Sequence, residues 1–241
     1  MNDKEYTGGI EVQSPALKKL DNFWYHYKWH TLAIAFFVIV FAVCTLQMCT
    51  KENNDMLVLY AGPEALDQSE IDNITSVFEH IMSEEGYAVG ITAYNVLSED
   101  EIKALEAETD EEGKPRFVNR AFYTEEYKNY GNYRMTGESS IMLLTPWLYE
   151  ELAANDRLRP ISELADAIRE DALVGEYGVE LGKTDLYEKY EVLKCLPEDT
   201  VICLAQPNWG MGKNSREKHY AKEEALFCAI LAYENTETAG E

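Results

Sequence analysis

The chain has 241 residues, of which 21 are Lys or Arg and 44 are Asp or Glu, so its formal net charge is −23. Residues 1–50 contain four lysines and four acidic residues, which leaves the whole negative excess in residues 51–241. Such a surface repels nucleic-acid phosphates and anionic lipid headgroups, so we expect no nucleic-acid partner. About 190 residues can bury one good hydrophobic core, and residues 56–241 are therefore expected to form one domain.

An uncharged apolar segment, Thr31–Met48, precedes the acidic region. Its 18 residues would span about 27 Å as a helix, close to the ~30 Å hydrocarbon core of a bilayer. A cleaved signal peptide has a shorter apolar core and a small-residue cleavage site, which residues 47–51 do not offer. A lipoprotein needs a small residue before its acylated cysteine, but Met48 precedes Cys49. A helix in a soluble core is the remaining alternative, although this segment has no polar face. We therefore interpret Thr31–Met48 as a membrane anchor in contact with the lipid bilayer.

The flanks of this segment favour an anchor and indicate its direction. Ser14 and Pro15 are typical of a helix start. Five aromatic residues precede the span, where amphipathic rings meet lipid headgroups: Phe23, Trp24, Tyr25, Tyr27 and Trp29. Three lysines precede the span closely and one follows it: Lys18, Lys19, Lys28 and Lys51. The positive-inside rule then predicts a cell-membrane protein with a cytoplasmic or interfacial segment 1–30, a transmembrane helix 31–50, a linker 51–55 and an extracellular domain 56–241.

Beyond the linker, apolar runs alternate with helix signals. Strands are predicted at Met56–Ala61, Tyr87–Val96, Ser139–Thr145 and Thr200–Gln206. Helices are predicted after the capping pairs Asp67/Glu70 and Ser98/Glu101, over Phe122–Tyr133, from Pro146 to about Ala154, and over Arg216–Tyr233. Gly175–Tyr190 shows no clear pattern. Strands followed by helices predict an α/β domain with a largely parallel or mixed sheet.

No motif predicts catalysis. The glycine-rich segment Asn208–Ser215 follows a strand, but Pro207 and Asn214 occupy the positions that a phosphate-binding loop reserves for glycine and for Ser or Thr. The four histidines show no metal-ligand spacing. We therefore predict no catalytic residue, no metal site and no cofactor, and an enzyme is only a third alternative. Cys203 and Cys228 are expected to be small buried thiols, with a Cys195–Cys203 disulfide as the alternative.

Three predicted strands stop at proline, and their ends suggest a ligand site. In parallel sheets, ligands bind beyond the carboxyl ends of the strands. If these strands are parallel, their loops share one edge and bring together Gly62, Glu64, Trp147, Asn208 and Trp209. The alternative is that proline only terminates the strands. The aromatic residues of Phe122–Tyr133 also have two interpretations: they pack in the core, or they stack on a ligand.

The segment GESSIMLLTPWLYEELAANDRLRPISEL, Gly137–Leu164, resembles extracytoplasmic solute-binding proteins. MLVLYAGP and TVICLAQP are similar to other strands of that α/β pattern. KLDNFWYHYKWH with one span resembles uncharacterised single-pass membrane proteins of Gram-positive bacteria that carry such an ectodomain. The resemblance implies a domain equivalent to one lobe of a solute-binding protein.

Two functions follow as expectations. The first is a membrane-anchored extracytoplasmic α/β module that binds a small ligand in the manner of solute-binding proteins. The alternative is a non-enzymatic cell-envelope interaction or structural protein that contacts an envelope protein and binds no small molecule. A pocket at the Gly62/Trp147/Trp209 edge favours the first, whereas a filled edge with an exposed apolar patch favours the second.

Overall fold

The computed structural model describes residues 15–49, 54–82, 86–109, 113, 116–155, 157–164, 169–207 and 213–233. The chain divides into two compact units, Met1–Glu52 and Asn53–Glu241.

The first unit contains a single described helix, α1, at Pro15–Cys49. Its stretch Tyr27–Thr45 has 19 residues with a mean hydropathy of 1.8, and none of them is buried. Large side chains such as Phe37 and Phe41 expose 69% and 76% of their surface. Within the described residues, α1 is the one helix that is long and apolar enough to cross a membrane.

The second unit is built on a six-stranded mixed sheet. The strands are β1 Met56–Gly62, β2 Val89–Asn95, β3 Ile141–Leu144, β4 Leu173–Val174, β5 Gly178–Glu180 and β6 Val201–Leu204. Their order across the sheet is β2-β1-β3-β6-β5-β4. The pairs β2–β1 and β1–β3 are parallel, whereas β3–β6, β6–β5 and β5–β4 are antiparallel. The α/β class and a mixed sheet are thus confirmed, and four of the six strands coincide with predicted ones.

Helices lie between these strands in the chain. They are α2 Gln68–Ile81, α3 Glu99–Ala107, α4 Arg120–Thr136, α5 Pro146–Ala153, α6 Asp185–Lys189 and α7 Lys213–Leu231. Short 3₁₀ turns occupy Ile161–Glu163, Glu170–Ala172, Leu181–Lys183 and Glu191–Cys195. The segment without a clear sequence pattern, Gly175–Tyr190, therefore contains β5, a 3₁₀ turn and α6.

Two capping boxes set the starts of α2 and α3, as the sequence predicts. The Asp67 carboxylate accepts a hydrogen bond from Glu70 N at 2.9 Å, and Asp67 N donates to Glu70 Oε2 at 2.8 Å. Ser98 and Glu101 make the same reciprocal pair. Each box satisfies backbone N–H groups that the first helical turn leaves without partners, which fixes where the helix begins.

The sheet separates two hydrophobic cores. Along β1, Met56, Val58 and Tyr60 pack on the face covered by α2 and α7. The alternate residues Leu59 and Ala61 pack on the opposite face, against α4 and α5. Because successive side chains of a strand point to opposite faces, a strand buried on both faces must be apolar throughout. This explains why the central strands read as continuous apolar runs.

Candidate functional site

The carboxyl ends of β1, β2 and β3 lie at one edge of the sheet. Thr145 N donates to Ala61 O at 3.0 Å, which joins the ends of β3 and β1. Val96 N donates to Gly62 O at 2.8 Å, and Asn95 Nδ2 donates to Pro63 O at 2.6 Å. The structure therefore places the loops that follow these three parallel strands side by side, as the parallel arrangement requires.

The phenol of Tyr60 fills the space beside Gly62. A Cβ atom added to Gly62 would lie 2.6 Å from the Tyr60 hydroxyl, so no larger side chain fits there without movement. The backbone N–H of Glu64 donates to this hydroxyl at 3.3 Å. Burial raises the pKa of Tyr60, which keeps the phenol neutral. This part of the predicted site is occupied by the protein's own aromatic ring.

Trp147 begins α5 at the same edge and stacks on α4. The centroids of the Tyr127 and Trp147 rings are 5.9 Å apart, with 30° between the ring planes. The Tyr127 hydroxyl donates to Glu151 Oε2 at 3.3 Å, and Arg134 Nη1 pairs with Glu151 Oε1 at 3.4 Å. The Trp147 Nε1–H is buried and has no hydrogen-bond partner among the described residues. Two of the α4 aromatic residues, Tyr130 and Tyr133, therefore pack in the core, whereas Phe122 and Tyr127 remain 44% and 43% exposed.

The third strand of the predicted site, β6, runs in the opposite direction. Because β6 is antiparallel to β3, Leu204 at its carboxyl end pairs with Ile141 at the amino end of β3. The chain therefore leaves β6 at the opposite edge of the sheet from Gly62. The expectation that all three proline-ended strands share an edge is wrong for β6, and Asn208 and Trp209 themselves lie outside the described residues.

A cleft lies at the carboxyl end of β6, and we call it the β6 cleft. Its volume is about 470 Å³, and it is lined by Leu158, Arg159, Pro160, Glu163, Tyr177, Gln206 and Pro207. Arg159 N donates to Leu204 O at 2.8 Å, and Gln206 N donates to Arg157 O at 2.9 Å. These hydrogen bonds pair residues 157–159 with the end of β6, and they hold two walls of the cleft together.

Arg159 is the one positively charged side chain in the described lining of the β6 cleft, and two glutamates lie close to its guanidinium. Its Nη1 lies 2.8 Å from Glu224 Oε1 on α7, whereas its Nη2 lies 3.6 Å from Glu163 Oε2. Partial burial would lower the pKa of Arg159, but hydrogen bonds to Tyr220 and Glu224 outweigh that effect and raise it. Tyr220 is itself fixed, because its hydroxyl donates to Ala205 O at 3.0 Å.

Sequence reasoning missed the β6 cleft. The local sequence of Leu158–Leu164 carries no motif that marks a ligand site. The ion pair between Arg159 and Glu224 joins residues on two elements that are distant in the chain, and such a contact leaves no local pattern. The proline at Pro207 was the one usable signal, since it marks the end of β6 at the cleft wall.

The cysteines are thiols rather than a disulfide. Cys195, Cys203 and Cys228 are all free, so the alternative Cys195–Cys203 disulfide is not formed. Complete burial raises the pKa of the Cys203 thiol, as expected for a small buried side chain. Among the residues that the structure describes, no group of three or more His, Cys, Asp and Glu side chains could hold a metal ion.

The chain matches no protein-family model, no curated protein and no solved structure.

Proposed function

We propose that this protein is a membrane-anchored extracytoplasmic α/β module that binds a small ligand and catalyses no reaction. The exposed apolar side chains of Tyr27–Thr45 support the anchor. Apolar surface in water costs about 25 cal/mol per Å², so a helix with so many exposed apolar side chains needs an apolar environment.

The flanking lysines support the orientation of this anchor. Lys18, Lys19 and Lys28 precede the uncharged segment Thr31–Met48, and Lys51 follows it. Cytoplasmic flanks of membrane helices carry an excess of Lys and Arg, and this bias supports the proposal that Asn53–Glu241 lies outside the cell. The resemblance of Gly137–Leu164 to solute-binding proteins agrees with an extracytoplasmic binding module.

The β6 cleft is the observation that carries ligand binding. Its volume of about 470 Å³ lies within the range of about 300 to 1,000 Å³ that small-molecule sites occupy. Pro160 and Pro207 give it apolar surface, and Arg159 and Glu163 place two charged groups there. Apolar walls with a few polar groups are the usual composition of such sites.

A thermal-shift screen of the full chain in nanodiscs tests this proposal. The screen covers amino acids, sugars, amines, peptides and divalent cations. We expect at least one class to stabilise the protein by about 3 kcal/mol at a hundredfold excess over Kd, which raises Tm by roughly 5–10 °C. Gln206→Trp places a bulky ring on an exposed wall of the cleft and is expected to abolish the shift. Gln68→Trp, on the exposed start of α2, is the matched control and should retain it. Absence of a shift with every class would contradict ligand binding.

A protein partner is the second candidate function. It is favoured by exposed aromatic side chains before and along the first turns of α4, where Phe117, Phe122 and Tyr127 expose 90%, 44% and 43% of their surface. Contiguous exposed apolar surface marks interaction sites on soluble domains. A photo-crosslinking residue in place of Phe117 would capture such a partner in native membranes, whereas the same residue in place of Gln68 would not.

A further inference from the structure

The charged side chains at the β6 cleft differ in how closely they are paired with groups of opposite charge. The Arg159 guanidinium forms a 2.8 Å ion pair with Glu224, and its side chain is only 19% exposed. It also hydrogen-bonds the Tyr220 hydroxyl. An anionic ligand would therefore have to compete with a carboxylate that the fold already holds against this guanidinium.

Glu163 differs from Glu224. Its side chain is 59% exposed, and its carboxylate lies 3.6 Å from the Arg159 guanidinium, beyond the usual hydrogen-bond distance. The two carboxylates and the one guanidinium have a net charge of −1, in a chain whose net charge is −23. A cation at the exposed Glu163 carboxylate gains an attraction that the Arg159 guanidinium, 3.6 Å away and paired with Glu224, offsets only in part, whereas an anion meets repulsion from both carboxylates.

The other walls suit the apolar body of an organic molecule. Pro160 and Pro207 present carbon surface, and Tyr177 contributes an aromatic ring. A protonated amine near a tyrosine ring is stabilised by the negative face of the ring in addition to the carboxylate. An inorganic cation could not use this apolar surface, and it would prefer a denser set of oxygen ligands.

We propose that the β6 cleft binds a small organic cation, with a protonated primary amine at Glu163 and an apolar body against the prolines and Tyr177. The proposal rests on the proposed function, since it names the ligand class of the same cleft. It assigns Glu163 as the residue that selects charge and Arg159 as part of the scaffold that positions the cleft.

Three probes that share one ring and differ in one group test this assignment. Benzylamine, benzyl alcohol and phenylacetate are titrated into the full chain in phosphatidylcholine nanodiscs, and binding is followed by ligand-observed NMR. We expect benzylamine to bind at least tenfold more tightly than the neutral and the anionic probe. Glu163→Gln keeps the side-chain volume and removes the charge, so it should weaken benzylamine binding at least tenfold. Glu170→Gln, at an exposed carboxylate outside the cleft lining, is the control and should leave the affinity unchanged.

The results separate a failure of the amine proposal from a failure of ligand binding itself. Equal or tighter binding of phenylacetate or benzyl alcohol would overturn the amine assignment and leave ligand binding in place. Benzylamine binding that Glu163→Gln does not change would overturn the role of Glu163. No benzylamine binding, together with a thermal shift from another ligand class, would overturn the amine proposal alone. No response to any compound in either experiment would overturn both.

Discussion

Replacing Phe36 and Ile39 by arginine is expected to remove this protein from the membrane. These residues lie near the centre of the apolar stretch Tyr27–Thr45, where their side chains are 63% and 62% exposed. An arginine at the centre of a membrane helix costs about 2.5–3.5 kcal/mol on insertion scales, so the pair costs roughly 5–7 kcal/mol before the lost apolar contacts are added. Carbonate extraction of cell membranes, followed by detection of the chain in pellet and supernatant, measures the effect.

The matched control keeps the segment apolar. Phe36→Leu with Ile39→Leu preserves length and hydropathy, and it should remain in the carbonate-resistant pellet together with the wild-type chain. An arginine variant that stays in the pellet as completely as this control would contradict a membrane-spanning role for α1. The mass of the pellet-bound chain separates an anchor from a signal sequence, because a cleaved signal would leave a shorter protein.

Truncation of Glu223 is expected to have the largest effect on the stability of the α/β unit. Glu223 lies on α7 with only 1% of its surface exposed. Its Oε1 accepts a hydrogen bond from Leu57 N at 3.2 Å, and its Oε2 accepts one from Ser140 N at 3.0 Å. The carboxylate therefore links α7 to β1 and to the residue that precedes β3 through hydrogen bonds. These elements are far apart in the chain.

Glu223→Ala would leave one buried and one part-buried backbone N–H group, those of Ser140 and Leu57, without these acceptors. Each unsatisfied buried donor costs about 1–3 kcal/mol, so we expect the free energy of unfolding to fall by roughly 2–5 kcal/mol. For a unit of this size, that change lowers Tm by roughly 5–15 °C. Glu223→Gln keeps one acceptor oxygen but turns an NH₂ group toward a donor, and it should lose about half as much. Thermal unfolding of residues 53–241, followed by circular dichroism, measures both variants.

The neighbouring residue supplies the control for this prediction. The Glu224 side chain is 34% exposed and pairs with Arg159 near the surface. Partly exposed ion pairs contribute about 0–1 kcal/mol, so Glu224→Gln should change Tm by only a few degrees. Equal destabilisation by Glu223→Ala and Glu224→Gln would show that the stabilising effect of Glu223 does not come from its burial or from its hydrogen bonds with the two backbone N–H groups.

Local sequence signals predicted the elements that depend on local physics. The Asp67/Glu70 and Ser98/Glu101 pairs satisfy backbone groups within three residues, so the starts of α2 and α3 could be derived from the sequence. The strands β1, β3 and β6 are buried on both faces and read as apolar runs. By contrast, β4 and β5 have two and three residues, too few for any alternation to be visible.

These local signals could not predict the direction of β6. An apolar run is equally apolar in either direction, and only the path through β5, α6 and the 3₁₀ turns brings the chain into β6 antiparallel to β3. The candidate site depended on that direction, so only the part built from Gly62, Glu64 and Trp147 shares one edge. The buried position of Glu223 could not be predicted from the sequence either, because a glutamate in a helix usually lies on its solvated face.

Accessibility of introduced cysteines in intact cells tests the central claim most directly. The claim is that α1 spans the membrane and that Asn53–Glu241 lies outside the cell. Glu170→Cys places a thiol at an exposed position of the α/β unit, and Thr7→Cys places one before α1, both in a chain in which Cys44, Cys49, Cys195 and Cys228 are replaced by Ser. A membrane-impermeant maleimide should label the Glu170→Cys chain in intact cells and the Thr7→Cys chain only after lysis. Labelling of Thr7→Cys but not Glu170→Cys in intact cells would contradict the orientation, and labelling of neither would contradict an extracytoplasmic domain.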